Sequence, residues 1–319
     1  MSANRPMPFF SIIIPTCNSA SVINRAIVSV LTQDFIDFEI IVIDSGSTDG
    51  TREIVQEFND DRILLICEKE RRGVCPARNL GVKSARSQWL LFLDSDNEFL
   101  PGALRLIYEK VKKVGNDIDH LRFTCKWGTR EGGIVCALAD EIWDYEGYVK
   151  SRERSVYGCS ETFSCISKRS FEKVHWPEDR SYESIYHIDF AKNFKTQTFS
   201  DTVMFYHVDS PNQNSFTPNP HHWLKVASDN ARSMDLLLLR HGEALRRLSP
   251  TAYLYDQRTA AKYHFLSGNR FKAIRYLLRY LSSKPTCHIG WALFILGILG
   301  PNILASVDSL KTRIRGRHH

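Results

Sequence analysis

The sequence predicts an α/β fold, a doubly wound and mainly parallel sheet followed by a C-terminal all-helical extension. Three observations in the 319-residue chain lead there. Apolar runs stand at 10–15, 38–43, 62–67 and 89–93, and strands without polar alternation are buried on both faces. Stretches with apolar residues at helical spacing separate these runs, the strand and helix alternation of a parallel sheet covered by helices. From about residue 218 onward the pattern is helical only.

Phe10-Ser-Ile-Ile-Ile-Pro15 forms the first strand. Val22, Ile23, Ala26, Ile27, Val30 and Leu31 then recur at helical spacing behind the cap candidates Ser19 and Ser21. The second strand, 38–43, ends in the turn cluster Asp44-Ser-Gly-Ser-Thr-Asp-Gly50, which opens a helix to about residue 58. Strands follow at 62–67 and 89–93, with a helix over about 76–86 between them. Residues 101–114 read as a helix and 119–126 as a strand. Beyond them Trp127, Trp143, Tyr145, Tyr148 and Tyr157 lie scattered among glycines and charges, as in the irregular wall of a cleft or in ordinary surface loops. A helix over 183–194 and a last strand over 197–208 complete the core.

In the tail, 251–266 and 270–281 read as a helical hairpin around a Ser-Gly-Asn turn, ended by Pro285. Its second helix places Phe271, Ile274, Leu277, Leu278 and Leu281 on one face and Lys272, Arg275 and Arg279 on the other. Residues 285–307 hold no charged side chain. A bilayer span takes about 20 predominantly apolar residues; the run over 289–300 is shorter and is broken by Pro301-Asn302, so a buried or interfacial helix is expected.

Charge divides the chain. Residues 221–319 hold 16 Lys and Arg against 5 Asp and Glu, so the tail carries +11 of a chain whose net charge is +6, and the front carries −5. Such asymmetry suggests different partners for the two parts. The eight cysteines form no CxxC pair and no Cys/His ligand spacing, which reads as reduced thiols. The first apolar run is too short for a signal-peptide core, so a cytoplasmic location is expected. The division expected is a catalytic domain over 1–220, split near residue 100 into a nucleotide half (9–100) and an acceptor half (101–220), and a basic helical domain over 221–319.

Ligands of an open parallel sheet bind beyond the carboxyl ends of its strands. Here those ends are Pro15-Thr-Cys-Asn18, Asp44-Ser-Gly-Ser-Thr-Asp49 and Asp94-Ser-Asp96. No GxGxxG follows the first strand and no GxxxxGK[ST] occurs, which disfavours a dinucleotide-dependent dehydrogenase and a P-loop kinase. Asp94 and Asp96 leave a buried strand two residues apart. Paired carboxylates so placed suit Mg2+ or Mn2+ bridging a diphosphate, since hard cations take carboxylate and phosphate oxygens.

Ser11-Ile-Ile-Ile-Pro-Thr-Cys-Asn18, Phe38-Glu-Ile-Ile-Val-Ile-Asp-Ser-Gly-Ser-Thr-Asp-Gly-Thr51, Gly73-Val-Cys-Pro-Ala-Arg-Asn-Leu-Gly81 and Trp89-Leu-Leu-Phe-Leu-Asp-Ser-Asp-Asn97 resemble, in order, the motifs of glycosyltransferase family 2, of GT-A fold. The likeness continues more weakly through Phe171-Glu-Lys-Val-His-Trp-Pro-Glu178, Tyr182-Glu-Ser-Ile-Tyr186 and residues 207–217. It implies a nucleotide-sugar donor, usually a UDP-sugar, with Pro15, Thr16 and Asp44 near base and ribose and with Asn18 and Ser95 among the donor-binding residues. Arg78 and Asn79 match the family's ARN motif, for which the residues alone also allow a helix pinned to the sheet by hydrogen bonds. Asp94 and Asp96 match its DxD, with Mn2+ or Mg2+ as cofactor. His207 and Ser215 match the segment that contacts the diphosphate or the metal.

An inverting transfer needs a carboxylate to take the proton of the acceptor hydroxyl. Glu183 is the candidate by motif, and Asp179 and Asp189 are alternatives. The sequence departs from the family at Cys17, often Tyr, at Ser45, often Asp, and at Ser184, where the family's aspartate base stands. The expected activity is metal-dependent transfer of a sugar from a nucleotide-sugar to a hydroxyl of a glycan or lipid-linked acceptor in cell-surface polysaccharide synthesis. The alternatives are a catalytically degenerate scaffold subunit and, less favoured for want of a basic triphosphate loop, a nucleotidyltransferase. The basic tail is expected to meet an anionic membrane surface at its inner face, or else to cap the catalytic domain. No nucleic-acid partner is expected.

Overall fold

The computed structural model describes residues 6–129, 132–135, 138–156, 162–178, 184–208 and 220–315. The chain forms two compact units, one of Met1–Tyr145, Ser160–Asp179 and Asp189–Gln213, the other of Glu146–Cys159, Arg180–Ile188 and Asn214–His319.

The first unit is built on a sheet. Strands β1 (Phe10–Thr16), β2 (Phe38–Ser45), β3 (Ile63–Glu68) and β4 (Trp89–Phe92) alternate with helices α1 (Ile23–Leu31), α2 (Thr51–Glu57) and α3 (Val74–Ser84). All four strands are parallel, in the order β3-β2-β1-β4. Every residue of β1 and β2 is buried, as the unbroken apolar runs require. The run at β3 differs from expectation. It is the edge strand, with Leu64 and Cys67 exposed, because only β2 pairs with it. Helix α3 lies close on β1: a Cβ on Gly81 would come within 2.4 Å of Ile13 Cγ2.

The sheet continues through β5 (Glu98–Phe99), β6 (Ile118–Thr129), β7 (Gly132–Val135), β8 (Ile142–Trp143), β9 (Thr162–Ser167) and β10 (Lys195–His207), with α4 (Ala103–Lys113) before β6. Of the intervening helices α5 (Tyr145–Val156) and α6 (Ser184–Ala191), the residues past Tyr145 and up to Ile188 belong to the second unit. Strand β9 joins the halves, antiparallel to β4 on one side and to β6 on the other; β6 and β10 are parallel, and β5 closes the far edge antiparallel to β10. The core takes Phe10, Ile12 and Ile14 from β1, Leu91 from β4, Phe123 and Cys125 from β6, and Phe163 and Cys165 from β9.

Two local expectations are corrected. Ser19 and Ser21 do not cap α1, whose N-cap is Val22 without a side-chain bond. The stretch after Trp127 is not an irregular wall. It supplies β7, β8 and α5 and buries Trp143 and Tyr148, while Tyr157 lies outside the described residues. Cys17, Cys67, Cys75, Cys125, Cys165 and Cys287 take part in no disulfide.

The second unit includes α7 (Pro220–Leu248), α8 (Pro250–Leu266), α9 (Arg270–Ser283), α10 (His288–Leu299) and α11 (Pro301–Arg315). Asp235 of α7 ties three helices, accepting from Tyr276 Oη at 2.6 Å and Lys272 Nζ at 2.8 Å and pairing with His264 Nε2 at 2.8 Å. Burial alone would raise the Asp235 carboxyl; bonds from Lys272, Tyr276 and His264 hold it below the usual carboxylate range. Arg152 of α5 donates to both oxygens of buried Asp256 at 3.0 Å. On α9 the buried face is Ala273, Leu277, Tyr280 and Leu281, so Phe271 and Leu278, expected among the inward residues, face outward with Arg275. Among the described residues no helix is long and apolar enough to cross a membrane.

Candidate functional site

The carboxyl ends of β2, β1 and β4 lie side by side. Thr16 is the cross-strand partner of Asp44, and Leu93 N–H, just past β4, donates to Ile13 O of β1 at 3.0 Å. Three polar loops therefore leave one edge of the sheet together, as the sequence predicts.

The first two loops are stitched to each other. The side chain of Asn18, a residue at φ 55, accepts from Thr48 N–H at 2.9 Å, and its backbone N–H donates to Ser47 Oγ at 2.8 Å. Ser19 N–H donates to Thr51 Oγ1 at 2.8 Å and Ala20 N–H to Asp49 Oδ2 at 3.0 Å. Burial would raise the Asp49 carboxyl, but bonds from Thr51 Oγ1 and the Ala20 and Thr51 amides hold it below its ordinary value. Asp49 thus organises the loop.

Asp44 is fully buried. Its Oδ1 accepts from Arg52 Nε at 2.6 Å and Ser47 N–H at 3.1 Å, while Oδ2, like Thr16 Oγ1, is buried with no hydrogen-bond partner. An unpartnered buried oxygen costs about 1–3 kcal/mol, and two at one strand edge mark a place where a ligand would complete the bonding. Pro15 is buried beside them. Ser45 donates to Glu68 Oε2 at 2.8 Å across the β2–β3 pair.

Around β4 the charges couple. Arg78 of α3 donates to Asp94 Oδ1 at 2.9 Å and lies over the Trp176 ring at 4.9 Å. Asn79 holds that tryptophan by its backbone: Nδ2 donates to Trp176 O at 2.9 Å, and Oδ1 accepts from Trp176 N–H at 3.1 Å. The second donor bond of Nδ2 goes to Glu178 Oε1 at 2.9 Å. The Asn79 amide is therefore engaged in fixing the Arg78–Trp176 stack. Ser95 Oγ lies 2.9 Å from Ser19 Oγ, and the Arg25 guanidinium donates to the Asp96 carbonyl.

The Asp96 carboxyl is pushed up to about 6, first by burial and then by the charge of Asp94. Two carboxylates that repel each other in a partly buried turn are the donor set a hard divalent cation relieves, so Asp94 and Asp96 fit Mn2+ or Mg2+. His207 arrives from the end of β10. Its N–H donates to Asn97 Oδ1 at 3.2 Å, and its buried imidazole places Nε2 2.9 Å from Glu98 Oε1. Asp94, Asp96 and His207 do not make a three-ligand cluster: none of that size exists among the described residues, and the imidazole is engaged by Glu98.

Glu183, Asp179 and Ser215 lie outside the described residues, and of Ser184 only the backbone, at the start of α6, is described. Asp189 is on α6, where its charge, after burial, helps raise the Tyr145 hydroxyl. Sequence reasoning missed Arg52, Arg25 and Trp176. The signal for Arg52 was its place on the helix opened by the Asp44 turn; no spacing in the sequence points from Trp176 to Arg78.

The family model for glycosyl transferase family 2 matches residues 11–174. Among curated relatives, the GalNAc(5)-diNAcBac-PP-undecaprenol beta-1,3-glucosyltransferase of Campylobacter jejuni is 38% identical over 110 residues, 34% of this chain and 36% of its own. The chain spans about a third of the length of the curated relatives it matches first. Among solved structures, S. aureus TarS 1-349 in complex with UDP-GlcNAc superposes with a TM-score of 0.55 at 16% identity, over 95% of this chain and 91% of that one. The mannosyltransferase PcManGT of Pyrobaculum calidifontis, in complex with GDP-Man and Mn2+, does so at 0.51 and 18%, over 96% and 88%. At these identities the likeness to both structures is one of fold.

Proposed function

The chain belongs to glycosyl transferase family 2, and from that premise we propose that it transfers a sugar from a nucleotide-sugar, a UDP-sugar first among the candidates, to a hydroxyl of a glycan or lipid-linked acceptor. The observation that carries this reading is the open polar edge formed by β2, β1 and β4, where Asp44 and Thr16 keep unpartnered oxygens beside the Asp94 and Asp96 pair.

Asp44 and Thr16 bind the base and ribose, and the Asn18 and Ser95 loops flank the donor. Asp94 and Asp96 hold Mn2+ or Mg2+, which when bound offsets the charge of the departing nucleoside diphosphate. Arg78, stacked on Trp176, orients Asp94 and adds positive charge on the same side. His207 positions Glu98 and the Asn97 turn. Glu183 takes the acceptor proton in an inverting displacement, with Asp179 and Asp189 as the alternative carboxylates. The Campylobacter relative's name specifies an undecaprenol-linked acceptor, which supports a lipid-linked acceptor for this chain.

Donor hydrolysis measured with Mn2+ across a panel of UDP- and GDP-sugars tests the proposal. One donor is expected to be turned over by the wild type and not by Asp96→Asn. A donor bound but never hydrolysed in the presence of cation and acceptor would favour the scaffold reading instead.

A further inference from the structure

The helical unit exposes an apolar face that its own packing does not account for. Apart from His288 and the indole N–H of Trp291, no side chain of α10 can form a hydrogen bond or carry a charge. A helix that is apolar all round is normally buried on every side. Here protein covers only the edge formed by Gly290, Leu293 and Gly297, where the backbone comes close enough that a Cβ would strike Leu281 at 2.7 Å or Phe265 at 2.5 Å. The opposite side is open: Ile295 is 58% and Leu299 59% exposed, with Ile289, Trp291 and Ile298 beside them. On α9, against which α10 packs through Gly290, Phe271 is 87% exposed and Leu278 56%.

Charge states what covers this face. From 257 to 307 there are seven Lys and Arg and no Asp or Glu. Lys272 and Lys262 are paired with Asp235 and Asp308, while exposed Arg270, Arg275, Arg279 and Lys284 have no ion-pair partner among the described residues. Arg275 sits between Phe271 and Leu278 on the outward side of α9. A second copy of the chain would bring like charge against like charge, a repulsion that disfavours self-association. The twelve residues of α10 reach about 18 Å, short of the roughly 30 Å of a hydrocarbon core, so the helix does not span.

We propose that α9 and α10 dock the protein onto an anionic bilayer, with α10 lying in the interface and the α9 arginines among the headgroups. Trp291, whose Nε1 donates to Pro285 O at 2.8 Å, is held at the start of α10, in keeping with the interfacial preference of amphipathic aromatics. This surface belongs to the helical unit alone, so it stands or falls apart from the transferase reading.

Flotation of the full chain with vesicles of phosphatidylcholine alone, or mixed with phosphatidylglycerol, tests it. Binding is expected only to the mixed vesicles and is expected to weaken with salt. Ile295→Glu with Leu299→Glu, both at exposed positions, should lower the partition about tenfold or more. Arg275→Ser with Arg279→Ser should flatten the salt dependence, and circular dichroism and donor hydrolysis of each variant should match the wild type. No binding, equal binding to neutral vesicles, binding unchanged in the glutamate variant, or a dimer in solution that the glutamate variant dissolves would each overturn the proposal, the last in favour of a second copy.

Discussion

The two ends of β1 and β2 bury similar chemistry and treat it in opposite ways. At the amino end Ser11 faces Glu39 across the strands, and each of their side-chain oxygens is bonded. Ser11 Oγ donates to Glu39 Oε1 at 2.6 Å and accepts Ser87 N–H at 3.2 Å; Arg86 supplies its N–H to Oε1 at 2.8 Å and its Nε to Oε2 at 2.7 Å. At the carboxyl end Thr16 faces Asp44, just as deeply buried, yet Asp44 Oδ2 and Thr16 Oγ1 have no partner. Burial alone does not separate the two carboxylates; the completeness of their hydrogen bonding does.

The largest way to break this comparison is Asp96→Asn. Transfer should fall by about 10²-fold or more, while the melting temperature should not drop, because the substitution removes a charge that burial and Asp94 already disfavour. Parallel loss of activity and stability would make the open end structural after all. At the closed end the reverse holds. Glu39→Ala strips the Ser11 hydroxyl and the Arg86 backbone N–H and guanidinium of their acceptor and should cost about 2 kcal/mol in urea denaturation, with donor affinity unchanged.

The pH response sharpens the contrast. Asp96 titrates near 6 in the folded protein against 3.8 for a free aspartate, so the folded chain binds this proton more tightly than the unfolded chain does. Stability from this group is present below pH 3.8 and is lost as the pH rises through 6. Cation binding needs the carboxylate and moves the other way, so transfer at fixed Mn2+ should decline about tenfold per pH unit below 6, as a pH–rate profile would record. The smallest effect is the most pointed. Removing one hydroxyl at each end should have opposite signs: Ser11→Ala should lower stability by about 1 kcal/mol, and Thr16→Val should raise it by a similar amount while increasing the KM for donor a few-fold. If both substitutions destabilise equally, Thr16 is not an open site.

The strands of the first half were legible because continuous apolar runs such as Ile12–Ile14 and Ile40–Ile43 have no other stable home than a sheet covered on both faces. The Asp94 and Asp96 pair was legible because it follows such a run directly. Strand β9 was not recognised, although Phe163 and Cys165 alternate with Thr162 and Ser164 as an antiparallel strand should. Trp176 could not be assigned from sequence, since its stack on Arg78 depends on Asn79 capturing its backbone, a contact between residues 97 apart. The outward turn of Phe271 and Leu278 was misread because their spacing suits an inward stripe, and what sets the buried face is the position of Tyr280 against α10.

Strand β9 also governs the order in which the sheet is assembled during synthesis. Strands β1 to β4 lie within residues 10–92 and pair with one another as parallel neighbours, so their mutual pairing is complete early. Strands β5 and β6 emerge next, but neither has a place beside β4; that place belongs to β9, which is not made until residues 162–167. Through that interval β4 presents an unpaired apolar edge, the kind of surface that captures the edge of another nascent chain. A chain released between β8 and β9 would hold a finished parallel half that no later strand can seal.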